Sequence, residues 1–164
     1  MLRSWHTRGV LVRPPAHVVV LYKASPCGRA AIQEAAQLAA AAGARLTVVV
    51  AAVAEPEGTR CCDTRSVYWN GVVRELAAHE LGDARDMLGA NTTADYRVVS
   101  DRSMTAAIAK EADRAGADLI VVPAQRGPFR WLRQREGRRV QRRTRCVVHV
   151  AAGDHARPSA RRAA

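Results

Sequence analysis

The sequence has few aromatic residues, no long hydrophobic run and no recognisable leader. Phe, Trp and Tyr make up 4% of the 164 residues, which leaves little of the stacking surface used by binders of single-stranded nucleic acid. The longest apolar stretch, residues 46–54, is strand-sized, whereas a membrane helix needs about 20 apolar residues. The apolar residues near the N-terminus are interrupted by Arg13, Pro14 and Pro15. A secretion signal has a continuous apolar region instead. We therefore expect a cytoplasmic protein without a membrane partner.

Cysteine is also scarce, and its spacing is typical of neither zinc nor redox motifs. The four cysteines are Cys27, Cys61, Cys62 and Cys146, with no Cys-x-x-Cys and no nearby pair of histidines. We expect reduced thiols and no metal, with Cys146 a small core residue. A redox role is an alternative for Cys27, which lies near the start of a predicted helix, and for the Cys61-Cys62 pair.

Positive charge is plentiful but unevenly distributed. The net charge is +11; residues 1–124 hold 14 basic and 13 acidic side chains, whereas residues 125–164 hold 12 basic and 2 acidic ones. Such a segment attracts polyanions through counterion release, so RNA or the ribosome is one partner class that this pattern favours. A solvated basic helix followed by a disordered tail explains the same charge.

Five apolar runs predict strands, and periodic segments between them predict helices. A helix is predicted over residues 29–42, with Ser25 as a capping residue, and another follows Ser103 and stops at Gly116. A third helix is predicted over residues 71–89, after a polar loop at 55–70, and the Arg-rich connection before the last strand has room for one short helix. The predicted strands are residues 17–22, 46–53, 95–99, 118–123 and 146–151.

Buried strands that alternate with helices require a parallel sheet, because a helical crossover returns the chain to the same end of the next strand. The fold class is therefore α/β, a doubly wound five-stranded parallel sheet. We divide the chain into an N-terminal extension (1–16), one domain (17–151) and a disordered basic tail (152–164). Ligands of such sheets bind beyond the carboxyl ends of the strands, so the loops 23–28 and 124–137 are the expected site.

Several short sequence segments resemble the universal stress protein family over residues 17–151. They are Ala24-Ser25 after the first strand, GARLTVV at 43–49, AGADLIVV at 115–122 and RCVVHV at 145–150. The resemblance implies a Rossmann-like, adenine nucleotide alpha hydrolase-like fold with strand order 3-2-1-4-5. It also implies a homodimer formed through the edge strand 146–151.

The ATP-binding motif of the family is altered in this chain. Family members that bind ATP carry Gly-x2-Gly-x9-Gly-Ser/Thr after strand 4, where this chain has Ala124, Gly127, Gly137 and Arg138. The spacing is kept, but the first glycine is Ala124 and the hydroxyl residue is Arg138. After strand 1, Lys23 stands where nucleotide-binding relatives have Asp, and an ammonium group cannot accept hydrogen bonds.

We therefore predict a degenerate site for ATP or a related adenine nucleotide. Loss of ATP binding and its retention in an altered form are both open, because the site still offers glycine amides and cations. Lys23 and Arg138 could together hold a phosphate; alternatively, Lys23 pairs with a surface carboxylate while Arg138 opens a solvated helix. The candidate binding residues are Lys23, Ala24, Ser25, Ala124, Arg126, Gly127, Gly137 and Arg138.

No catalytic constellation is visible. Ser25 lacks the Gly-x-Ser-x-Gly context of a nucleophile, and no paired carboxylates or phosphate-loop lysine motif occur. We expect a non-catalytic stress-response protein that senses a nucleotide or phosphate ligand. The alternatives are an RNA- or ribosome-associated factor that binds through residues 126–145, and a thiol redox sensor.

Overall fold

The structure is a computed structural model that describes residues 6–7, 10–11, 14–55, 64–124, 138–144 and 146–151. Within these ranges, three helices of 12 residues or more and seven strands are defined. In chain order they are β1 (His6–Thr7), β2 (Val10–Leu11), β3 (His17–Tyr22), α1 (Pro26–Ala42), β4 (Arg45–Val53), α2 (Thr64–Leu88), β5 (Ala94–Asp101), α3 (Met104–Ala115), β6 (Leu119–Val122) and β7 (Val147–Val150).

Five parallel strands form the central sheet, in the order β5-β4-β3-β6-β7. Counting only these five strands along the chain, the order is 3-2-1-4-5, which confirms the predicted fold class. The order reverses between β3 and β6, and β7 lies at an edge as expected. Strands β1 and β2 form a separate antiparallel pair within the predicted N-terminal extension.

Helices α1 and α3 begin at serine caps and end at left-handed glycines. The Ser25 hydroxyl accepts a hydrogen bond from the Gly28 amide at 3.0 Å, and the Ser103 hydroxyl accepts one from the Ala106 amide at 3.2 Å. Gly43 closes α1 with φ of 63°. Both capping predictions are confirmed, although α1 starts at Pro26, three residues earlier than its periodicity indicated.

The prediction of a loop over residues 55–70 is wrong for its second half, because α2 already begins at Thr64. The first inward positions of this helix carry Ser66 and Asn70, which are 3% and 2% exposed. Polar residues on the buried side hid the apolar period there. Residues 56–63, including the Cys61-Cys62 pair, lie outside the described residues.

The core has two layers, one on each face of the sheet. One face packs against α1 and α2 through side chains such as Val20, Ile32 and Ala77, and the other packs against α3 through Ile108 and Ile120. Val140 joins the second layer from a helical turn at 138–141, within the connection where a short helix was predicted. Strand β3 is therefore buried on both faces.

Candidate functional site

Lys23 and Ser25 lie at the carboxyl end of β3, where the sequence placed one half of the site. The Lys23 side chain is exposed, and the Lys23 carbonyl accepts a hydrogen bond from the Ser25 amide at 2.7 Å. Ser25 caps α1, as predicted, and its hydroxyl accepts a hydrogen bond from the backbone of the helix. This contact supports a capping role for Ser25 and not that of a nucleophile. Ala24 between them is also exposed.

Gly28, which the sequence analysis did not single out, allows the start of α1 to pack closely against this turn. A Cβ at Gly28 would lie 1.9 Å from the Lys23 carbonyl oxygen, closer than any real contact allows. The first turn of α1 therefore packs directly on the backbone of Lys23. A glycine three residues after a capping serine was the signal that could have shown it.

The other predicted half of the site is only partly described. Val20 pairs with Val121 in the parallel register of β3 and β6, so Lys23 and Ala124, each three residues further along, both lie beyond the carboxyl ends of these neighbouring strands. Arg138 opens the helical turn at 138–141 and is exposed. Arg126, Gly127 and Gly137 lie outside the described residues, and their predicted roles stay predictions.

A cleft of about 700 Å³ opens at the carboxyl ends of β3 and β4, and one wall is the start of α2. It reaches sideways to the end of β5 and the first residue of α3. Its lining consists of Tyr22, Lys23, Ala51, Val53, Ala54, Glu55, Trp69, Val73, Leu76, Ala77, Glu80, Arg102 and Met104. This is the end of the sheet at which doubly wound folds bind ligands.

The cleft combines an apolar wall with charges of both signs. Trp69 and Leu76 remain 47% and 59% exposed, so α2 presents apolar surface to solvent there. Lys23 and Arg102 supply cations, and Glu55 and Glu80 supply carboxylates. Such a lining suits a ligand with one planar apolar part and one anionic part.

Tyr22 forms part of the cleft floor. Burial is the main cause that raises the pKa of its phenol, and the carboxylates of Asp83 and Glu80 raise it further, while Arg29 lowers it. The phenol is therefore a neutral hydroxyl at physiological pH. Its hydroxyl can both donate and accept a hydrogen bond.

Of the predicted binding residues that the structure describes, Lys23 lines this cleft, whereas Ala24, Ser25, Ala124 and Arg138 do not. The sequence analysis missed the contributions of β4 and α2, notably Val53 and Trp69. The residues that directly follow β4 could have been considered as candidate site residues, since the carboxyl ends of neighbouring parallel strands lie at the same end of the sheet.

The sequence of this chain matches the model of a protein family. The model of the universal stress protein family matches residues 16–152. This protein belongs to the universal stress protein family. No curated protein sequence gives a significant match.

Solved universal stress proteins share the fold of this family member. One from Burkholderia pseudomallei is 24% identical, with a TM-score of 0.63 and coverage of 84% of this chain and 96% of that one. One solved in complex with cAMP is 24% identical, with a TM-score of 0.56 and coverage of 86% and 99%. One from Archaeoglobus fulgidus in complex with dAMP is 18% identical, with a TM-score of 0.51 and coverage of 83% and 97%.

The two described cysteines of this universal stress protein differ in their surroundings. Cys146 is 7% exposed, and its Sγ donates to the Ala117 carbonyl at 2.9 Å. Burial, followed by the nearby Asp113 and Asp118, raises the pKa of the Cys146 thiol, so the prediction of a core cysteine is confirmed. Cys27 is half-buried in the first turn of α1, and a redox role for it stays an untested alternative.

No helix within residues 64–124 or the other described ranges is long and apolar enough to cross a membrane. No cluster of three or more His, Cys, Asp or Glu side chains within those ranges could hold a metal ion.

Proposed function

We propose that this universal stress protein is a non-catalytic stress-response protein that binds an adenine nucleotide or a related phosphate ligand at an altered site. The observation that carries the proposal is the cleft of about 700 Å³ at the carboxyl ends of β3 and β4. Its volume suits a nucleotide-sized ligand, and its position is where doubly wound sheets bind ligands.

The chemistry of the cleft supports the same ligand class. Trp69 and Val53 offer apolar surface on which a base can lie, and Lys23 and Arg102 offer cations for a phosphate. Two solved relatives of the same fold are complexes with cAMP and dAMP. We therefore favour an adenine nucleotide over an uncharged ligand.

Lys23 defines how the site is altered. Its exposed ammonium group lies at the rim of the cleft, and an ammonium group donates hydrogen bonds but cannot accept them. A carboxylate at this place would accept hydrogen bonds from a ligand's hydroxyl or amino groups. The lysine instead favours a phosphate, so we expect the ligand's anionic part near Lys23.

Thermal shift measurements with ATP, AMP and cAMP test this proposal. A ligand at 100 times its dissociation constant stabilises the native state by about 2.7 kcal/mol, so binding raises the midpoint. Lys23→Ala should reduce that rise, whereas Lys110→Ala, which removes an exposed lysine on α3, should not. Absence of any rise in the wild type contradicts nucleotide binding, and phosphate release from ATP above background contradicts the non-catalytic assignment.

RNA or ribosome binding is a second candidate, and one described feature favours it. Arg138, Arg139, Arg142 and Arg143 are all exposed around the buried Val140, so this turn presents guanidinium groups outward. RNA affinity should fall steeply as salt rises, while a cleft ligand should respond weakly. Reversal of Arg139, Arg142 and Arg143 to Glu leaves RNA affinity unchanged if this candidate is wrong.

A homodimer through β7 remains part of the proposal, and the edge of this strand is partly covered. The side-chain Nε2 of Gln141 donates to the Cys146 carbonyl at 2.9 Å, and its Oε1 accepts from the Val148 amide at 3.1 Å. A second copy would therefore pair beyond Val148 or displace this side chain. Analytical ultracentrifugation of the wild type and of Gln141→Ala measures the oligomeric state of each protein. If both are monomeric, pairing through this edge is contradicted.

A further inference from the structure

Asn70 is a buried amide inside a helix, and its two polar side-chain atoms bind the backbone amide and the backbone carbonyl of one residue, Glu55. It lies near the start of α2 and is 2% exposed. Its Oδ1 accepts a hydrogen bond from the Glu55 amide at 2.9 Å, and its Nδ2 donates to the Glu55 carbonyl at 3.0 Å. The side chain therefore acts on Glu55 as a neighbouring strand would.

Asparagine at position 70 is unfavourable for the stability of the helix itself. Asparagine is less favourable than alanine inside a helix, and a buried amide is tolerated only when it is hydrogen-bonded. The equivalent inward positions further along α2 carry Ala77 and Ala84, which are 4% and 0% exposed. An amide at position 70 is thus explained by Glu55 and not by helix formation or core packing.

The hydrogen bonds hold the chain where it leaves the sheet. Strand β4 ends at Val53, and the Ala54 amide still donates to the Asp101 carbonyl on β5 at 3.0 Å. The next residue, Glu55, is held by Asn70 from the helix side. The backbone between β4 and the following loop is therefore fixed from both directions.

The same backbone forms one wall of the cleft, and the start of α2 forms another. Ala54 and Glu55 line the cleft from β4, and Trp69, the neighbour of Asn70, lines it from α2. We infer that Asn70 is a positioning residue that sets the width of the cleft mouth by joining these two walls. Its effect on ligand binding rests on the function proposed above, but its effect on the position of Trp69 does not.

Replacement of Asn70 by Asp gives this inference a pH signature. In Asn70→Asp one oxygen still accepts from the Glu55 amide, but the other faces the Glu55 carbonyl without a proton to donate. Burial and the facing carbonyl raise the pKa of the introduced carboxyl above its ordinary value of about 3.9. While the carboxyl is ionised, the second hydrogen bond is replaced by repulsion between the carboxylate and the Glu55 carbonyl, which weakens the link between the walls; that hydrogen bond forms again when acid protonates the carboxyl.

Acrylamide quenching of Trp69 fluorescence measures the cleft mouth without any ligand. The background carries Trp5→Phe and Trp131→Phe, so that Trp69 is the remaining tryptophan. We expect Asn70→Asp to raise quenching above that background at about pH 7.5 and to return toward it at about pH 4.5. Glu55, Glu80, Lys23 and Arg102 also line the cleft, and the background protein measured at each pH accounts for their titration.

Two further variants separate the inference from a folding defect. Asn91→Asp makes the same exchange at an exposed turn, and it should change quenching at neither pH. Asn70→Ala removes both hydrogen bonds without adding a charge, so it should raise quenching at every pH, and it carries the test if Asn70→Asp does not fold. Quenching equal to the background in Asn70→Ala, or a rise in Asn70→Asp that acid does not reverse, overturns the inference.

Nucleotide affinity supplies the second readout. At neutral pH, Asn70→Asp should bind AMP about tenfold more weakly than the wild type, the upper range expected for one lost hydrogen bond. That loss should shrink in acid. If the wild type binds no nucleotide, the proposed function fails, while the quenching experiment still decides the role of Asn70; unchanged AMP affinity in a binding protein contradicts the inference.

Discussion

The two ends of the central sheet use polar residues in opposite ways. At the amino end, His17 and Thr47 are 4% and 2% exposed, and their polar atoms bind each other and the backbone. At the carboxyl end, Lys23, Glu55 and Arg102 are exposed around a cleft. The difference shows that one end is built for stability, and the other leaves its polar groups available to a ligand.

The amino end ties three elements together. His17 Nδ1 lies 3.0 Å from the Ala115 carbonyl and Nε2 lies 2.8 Å from the Thr47 hydroxyl. One oxygen of Asp118 accepts from the amides of Ala16 and His17 at 2.8 and 3.0 Å. Each donor finds an acceptor without a ligand, as buried polar groups require.

The largest expected change in stability comes from the carboxyl end, where the first turn of α1 packs closely on the backbone of Lys23. Gly28→Ala puts a methyl group against the Lys23 carbonyl, so the free energy of unfolding should fall by about 3 kcal/mol. Gly71→Ala is the matched control, because nothing lies within 4 Å of a Cβ there, and it should add about 0.5 kcal/mol. Urea unfolding measures both; equal effects would show that α1 can shift away from Lys23.

At the amino end, His17→Leu should lower the free energy of unfolding by about 2 kcal/mol, because it leaves the Thr47 hydroxyl and the Ala115 carbonyl without this partner. Thr47→Val removes the other side of the pair. The double variant should cost less than the two single costs together, since both polar partners are then gone. Strict additivity in urea unfolding would mean that the pair does not act as a unit.

Glu111 makes the amino end sensitive to acid. Its carboxylate is buried and binds Arg114 and Arg97, and the hydrogen bond from Arg114 is the main cause that lowers its pKa below the ordinary 4.5. The ionised carboxylate therefore contributes stability above about pH 4.5, and that contribution is lost as pH falls through the lowered pKa.

Glu111→Gln should cost about 1 kcal/mol at neutral pH, since both arginines are half-exposed and solvent screens them. The variant should also lose less stability than the wild type on acidification. Urea midpoints measured across pH test this, and parallel profiles of the two proteins would contradict it.

The smallest change in stability is expected at the cleft. Trp69→Ala removes a side chain that is 47% exposed, so the free energy of unfolding should change by no more than about 0.5 kcal/mol. Affinity for AMP should nevertheless fall, because the apolar wall of the cleft is lost. A large loss of stability, measured with the other variants, would remove the contrast between the two ends.

Local sequence signals predicted the elements well where each segment is buried or capped. Strand β3 was predicted with its exact bounds, and Ser103 and Gly116 bound α3 as expected. The start of α2 was missed because Ser66 and Asn70 occupy buried positions where apolar residues were expected. Their acceptability depends on partners distant in sequence, which periodicity does not encode.

The sequence by itself determined the α/β class, the strands, the caps of two helices and the position of Lys23 beyond β3. These follow from local chemistry, namely apolar period, capping hydroxyls and glycine conformation. Only the tertiary structure decided that Trp69, Glu55 and Arg102 surround one cleft with Lys23. Those residues come from elements far apart along the chain, and parallel pairing brings their ends together at one edge of the sheet.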